Sequence, residues 1–145
     1  MKRKPSPADS IISAFFELTK PRITTLILIS TALGYYLGNT GNIDIFNFFL
    51  TILGTALLSG GAGAINHFVE KDLDQLMDRT KSRPIPAGII VSQTALYFGL
   101  SLSILGLLIL FIFVNSLTAV LGLITVLLYI FVYTPLKKIT WLNTT

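Results

Sequence analysis

The sequence has no cysteine, a single histidine, one tryptophan and little charge: 12% of its 145 residues are charged, against 52% hydrophobic. Without cysteine there is no disulfide, no thiolate metal ligand and no cysteine nucleophile. A lone histidine, His67, cannot support a His-rich metal site. Soluble domains are about a quarter charged, so this shortage, with a mean hydropathy of +0.75, disfavours a soluble enzyme, a disordered tail and a nucleic-acid module. The net charge of +4 does not reverse that, because the placement of the charges explains it. The segment before the first apolar run carries Asp9, Glu17, Pro5 and Pro7, and reads as neither a signal peptide nor a transit peptide. There is no repeat of 20–50 residues and no low-complexity tract.

What is present is long apolar sequence. Charges collect in residues 1–22, in residues 70–83 and at Lys137 and Lys138, with Asp44 alone between them. Three stretches carry none: 23–43, 45–69 and 84–136. A bilayer core takes about 20 mostly apolar residues per helix. The first two stretches hold one span each, and the third holds two with a turn at Asn115-Ser116. The sequence therefore predicts an all-α, polytopic transmembrane bundle of about four spans, at about 22–38, 46–75, 92–113 and 118–134, the last stopping at Pro135. Residues 1–21 form an N-terminal segment and 22–145 the membrane domain. All 11 Lys and Arg fall on one side of this arrangement, which makes both termini and the 70–83 loop cytoplasmic. Tyr35, Tyr36, Tyr133 and Trp141 stand near helix ends, where interfacial aromatics gather.

One segment carries chemistry. Residues 70–83 read Glu-Lys-Asp-Leu-Asp-Gln-Leu-Met-Asp-Arg-Thr-Lys-Ser-Arg, acids first and bases after. Asn66, Glu70, Asp74 and Asp78 are spaced by four, and a step of four turns a helix by only about 40°. They should form one inclined row, with neighbouring carboxylates that repel each other and oppose the helix dipole. Two penalties in one place call for a compensating cation. Carboxylate and amide oxygens suit Mg²⁺, which keeps room for water and phosphate. Arg79, Lys81 and Arg83 then offer charge and donors to a diphosphate at the mouth of the bundle. Thr80 and Ser82 are lesser candidates. The plain alternative is a solvated loop laced with i,i+4 ion pairs.

The run Asn66-xxx-Glu70-xxx-Asp74, followed by Met77-x-Arg79-Thr80-x-x-Arg83-Pro84-x-Pro86, resembles the first motif of the UbiA-type intramembrane prenyltransferases. Glu at the middle position is most like the haem-directed branch, the protoheme IX farnesyltransferases. Leu18-Thr19-Lys20-Pro21-Arg22 and Tyr133-Thr134-Pro135-Leu136-Lys137 are similar as well. The resemblance implies Mg²⁺ held by Asn66, Glu70 and Asp74, farnesyl diphosphate as donor and haem B as acceptor, giving haem O in haem A biosynthesis at the inner (plasma) membrane. It also implies a nine-helix fold with a second Asp-rich motif on a later loop. This sequence holds about four helices and no second Asp row, so it is expected to be the N-terminal portion, inactive without a C-terminal half.

Other readings compete. The acceptor could instead be a quinone precursor or chlorophyllide; Glu70 and the Arg-Thr-x-x-Arg-Pro run favour haem. A small transporter or assembly protein would place an ionisable group inside a span, and the three charge-free stretches hold none. His67 reads as a polar residue at the membrane edge, with a haem contact or proton relay as the sharper alternative. Gly60-Gly61-Ala62-Gly63-Ala64 lacks the Lys-Ser/Thr of a phosphate loop, and reads as a helix-packing surface, as do Gly99, Ser103 and Gly106. Lys137 and Lys138 read as topology signals, and Lys71 and Asp72 as solvated.

Overall fold

The computed structural model describes residues 7–136. Among the described residues the regular structure is all helical, in five α-helices: α1 (Pro7–Leu18), α2 (Pro21–Gly38), α3 (Ile45–Leu76), α4 (Ser92–Ile109) and α5 (Ser116–Leu128). Wider π-helical turns, Leu110–Val114 and Tyr129–Tyr133, prolong α4 and α5. Polar caps punctuate the loops: Asp44 accepts a hydrogen bond from the Asn47 amide (3.2 Å) to start α3, and Asn115 accepts one from the Thr118 amide (2.7 Å) to start α5.

Three helices are long and apolar enough to cross a membrane: Ile45–Leu76, Ser92–Val114 and Ser116–Leu136. Of the about four spans expected these are three, among the described residues, and α2 (Pro21–Gly38) covers the remaining expected segment. α2 has only 18 residues and spends its first turn on Pro21 and Arg22. Its hydroxyls nevertheless find satisfaction within the helix, with Thr25, Ser30 and Thr31 donating to the carbonyls of Pro21, Leu26 and Ile27. The last helix does not stop at Pro135, because its final stretch runs on to Leu136. Proline has no N–H to donate. The wide turn at Tyr129–Tyr133 precedes it, and the Thr134 hydroxyl donates to the Tyr129 carbonyl at 3.0 Å, taking up an acceptor there.

α3 is the central element. α4 and α2 run antiparallel to it, and α5 runs parallel. Its small residues let the neighbours come close. A Cβ on Gly61 would strike Ser103 Oγ and stand 2.5 Å from the Gly99 carbonyl oxygen, and one on Gly106 would stand 2.7 Å from that of Gly54. These glycines make a backbone-to-backbone contact between α3 and α4, the packing mode of membrane helices. The packing reading of both glycine runs holds.

α1 is not a bare tail. Ala14 and Leu18 are buried with Ala64, Ile85, Ile90 and Ala95, and Phe15 packs edge-on against Phe98 with ring centroids 5.0 Å apart. The loop after α3 folds into the same cluster through Ile85 and Ile90, with Pro84 fully buried beside them. Away from these contacts the helices expose many large apolar side chains, among them Leu26, Phe49, Phe111 and Phe131, as suits lipid-facing surfaces.

Candidate functional site

α3 is 32 residues long, roughly 48 Å at 1.5 Å per residue, against a hydrocarbon thickness of about 30 Å. It is longer than that thickness by about a dozen residues, and its charged residues all lie in its last dozen. Asn66, Glu70 and Asp74 are 1%, 2% and 3% exposed, so they are not a solvated charged face. The row of four foreseen from the spacing holds for three. The helix ends at Leu76, and Asp78 turns outward, with a side chain 97% exposed and paired to Lys81 at 2.9 Å.

The compensating cation that the spacing called for is supplied by the chain itself. Nη1 of Arg83 lies 3.1 and 3.0 Å from the two carboxylate oxygens of Asp74 and 3.5 Å from Oε2 of Glu70. Unpaired carboxylates at this depth would each cost several kcal/mol. Arg83 reaches them because the next residues anchor the loop: Pro84 and Ile85 are buried, and the Pro84 carbonyl accepts from the Ile89 and Ile90 amides. The Thr80 hydroxyl donates to the Asp74 carbonyl at 2.9 Å, closing the helix end. Arg79, Lys81 and Ser82 are exposed and do not enter the cluster.

The other end of the row is tied to distant parts of the chain. Lys20 Nζ, in the α1–α2 link, donates to Asn66 Oδ1 and to the Tyr129 hydroxyl (3.1 Å). Asn66 Nδ2 donates to Thr134 Oγ1 at 2.9 Å. Lys20 is also the one non-glycine residue of positive φ among those described, at 49°, a conformation disfavoured for side-chain-bearing residues. His67 is 2% exposed, and neither ring nitrogen is hydrogen-bonded. It is enclosed by the fold and not presented on the surface. Although it points about 100° from Asn66, a seven-residue step brings it within about 20° of Asp74 around the helix.

From Lys20 and Tyr129 an apolar groove of about 380 Å³ extends between α2, α3 and α5, past Ile27, Leu58, Leu121 and Val126. That volume falls within the range of roughly 300–1,000 Å³ usual for small-ligand sites. The arrangement is amphiphilic: an oily groove leads to a buried set of paired charges. Sequence reasoning passed over Lys20, Tyr129 and Thr134 as site residues. Their signal was faint: a cation and a hydroxyl immediately before a proline, at the start of one apolar run and the end of another.

Residues 27–145 match the sequence profile of the UbiA prenyltransferase family. The chain belongs to that family. It is similar to the protoheme IX farnesyltransferases of Solibacter usitatus (44% identical, covering 90% of this chain and 48% of the relative), Trichodesmium erythraeum (42%, 88% and 39%) and Myxococcus xanthus (40%, 94% and 46%). The chain thus spans less than half the length of these curated relatives. No solved structure matches. As a UbiA-family portion, the fold is an integral-membrane one.

UbiA enzymes typically work with Mg²⁺, and the row has suitable donors: one amide oxygen and two carboxylates. Among the described residues no group of three or more His, Asp or Glu could hold a metal ion by itself. A cation that keeps waters and takes the remaining ligands from phosphate does not need such a cage. The row fits as a partial ligand set. Lys137, Lys138 and Trp141 lie outside the described residues.

Proposed function

We propose that this chain carries the donor half of a haem-directed prenyltransferase, the part that binds farnesyl diphosphate, at the inner membrane with its termini on the cytoplasmic side. The observation that carries the reading is the junction of groove and oxygen row at Lys20, Tyr129 and Asn66. An isoprenyl diphosphate has the same shape, an oily tail joined to a dense anion. The farnesyl chain would lie along α2, α3 and α5. Asn66, Glu70 and Asp74 would hold Mg²⁺, which supplies Lewis-acid stabilisation of the departing diphosphate. Arg83 would grip phosphate oxygens, and the exposed Arg79 and Lys81 would raise the local concentration of the anion.

Reaction then starts with the C1–O bond of farnesyl diphosphate, which breaks with its electron pair going to diphosphate. The vinyl group of haem B attacks the allylic cation, water adds to the resulting cation, and a proton is released, giving haem O. The groove's apolar walls would keep water from the allylic centre. The names of the relatives support this reading.

Binding of labelled farnesyl diphosphate to the purified membrane protein tests the donor half. Mg²⁺-dependent binding that Asp74→Asn removes is the expected result; binding indifferent to Mg²⁺ and to Asp74 would overturn it. Mass spectrometry of membranes given farnesyl diphosphate, haem B and a quinone precursor tests the acceptor. A prenylated quinone precursor in place of haem O would refute the haem assignment.

A further inference from the structure

All three residues of the row already meet a positive side chain. Asn66 Oδ1 accepts from Lys20 Nζ, Asp74 holds Arg83 through both carboxylate oxygens, and Glu70 shares the same guanidinium nitrogen. The two cations come from opposite ends: Lys20 from the α1–α2 link, beside the groove, and Arg83 from the loop after α3. We propose that Lys20 and Arg83 are resident counter-cations of the oxygen row, which an incoming divalent cation displaces onto the phosphate oxygens of the anion it carries. This inference rests on the metal-row reading above.

Three observations favour exchange over a fixed salt bridge. The first is charge. Among the described residues the two buried carboxylates share the Arg83 guanidinium, and the Lys20 ammonium lies on the amide oxygen of Asn66, so the row already carries compensating positive charge. A bare dication added to it would leave excess charge in a poorly hydrated site, which is costly. A dication that arrives with a diphosphate restores the balance if the two side chains turn to the new anion.

The second is access. The Arg83 side chain is 24% exposed while its acids are 3–4% exposed, so it reaches in from the rim and can withdraw without crossing packed structure. The third is backbone. Lys20 holds its contact from a left-handed conformation directly before Pro21, where that proline already restricts it. Letting go of Asn66 therefore need not break any regular element. Chemically the exchange is favourable in kind, because guanidinium binds phosphate with the same forked geometry that it uses on a carboxylate.

The test is titration of the purified protein with Mn²⁺ alone, followed by electron paramagnetic resonance, and then with inorganic pyrophosphate at saturating Mn²⁺. Lys20→Met and Arg83→Met should each bind Mn²⁺ more tightly, by roughly tenfold, the change that about 1.4 kcal/mol makes. The same variants should bind pyrophosphate more weakly. Loss of structure would weaken both, so opposite signs identify exchange. Lys20→Arg keeps the charge and should follow the unsubstituted protein. Mn²⁺ affinity that is unchanged or lower in the Met variants would overturn the exchange. If Arg83→Met does not fold, Lys20→Met gives the same sign from a separate element. Mn²⁺ binding that Asp74→Asn leaves untouched would instead defeat the metal-row reading itself.

Discussion

At the scale of single residues, burial separates acids that look equivalent in sequence. Asp74 and Asp78 are both acids on one i,i+4 series, yet one is 3% exposed and the other points to solvent beyond the helix end. Asp78→Asn should leave farnesyl diphosphate binding within about fivefold of the unsubstituted protein, because exposed pairs contribute roughly 0–1 kcal/mol. Asp74→Asn should abolish that binding. Equilibrium binding of a labelled diphosphate to both variants checks the contrast, and equal losses would contradict it. Thr134 makes a second residue-scale case. Its hydroxyl accepts from Asn66 Nδ2 and donates to the Tyr129 carbonyl, and it is fully buried. Thr134→Val keeps the shape and removes both hydrogen bonds, so it should lower stability by about 1–3 kcal/mol. Thermal unfolding in detergent reads that loss. An unshifted transition would mean that Asn66 is oriented by other contacts.

At the scale of elements, α3 owes its central place to small side chains on the face toward α4. Gly61→Ala would drive a methyl into Ser103 and the Gly99 carbonyl. It should destabilise the protein by about 1–3 kcal/mol, the usual cost of overpacking, and more if the helices separate. Gly34 sits on α2 with nothing within 4 Å of its would-be Cβ. Gly34→Ala should be neutral or stabilising by up to about 1 kcal/mol, since alanine is the better helix former. The two alanine variants, compared by the same unfolding assay, test whether α3–α4 packing or glycine content itself governs stability. The loop after α3 shows the same logic in irregular structure. Burial of Pro84 and Ile85 brings Arg83 to its acids, so the loop's apolar residues position its charged one.

At the scale of the molecule, the groove and the charge cluster make one site only because α2, α3 and α5 converge on Lys20, Tyr129 and Asn66. A larger side chain in the groove should therefore separate tail from head. Thr55 lines the groove, and Thr55→Phe should weaken farnesyl diphosphate binding by roughly tenfold while leaving inorganic pyrophosphate binding unchanged, since burial of apolar groups contributes about 0.8 kcal/mol per CH₂. Competition between the two ligands measures this. Parallel losses would place the tail elsewhere.

Hydropathy, charge placement and four-residue spacing were enough to read an all-helical membrane chain and the shared helix face of Asn66, Glu70 and Asp74. Those properties are local: they depend on transfer of side chains out of water and on the helix repeat, both readable along one dimension. The family, too, was legible in the Asn66–Pro86 run. Partners distant in sequence were not. Lys20 meets Asn66 across 46 residues and Thr134 meets it across 68, and no periodicity encodes such a pairing. Nor does spacing reveal that an arginine nine residues after Asp74 folds back onto it. Which of the charges face each other, and which face water, was decided by packing: a charge can be buried only where the folded chain brings its counter-charge within reach.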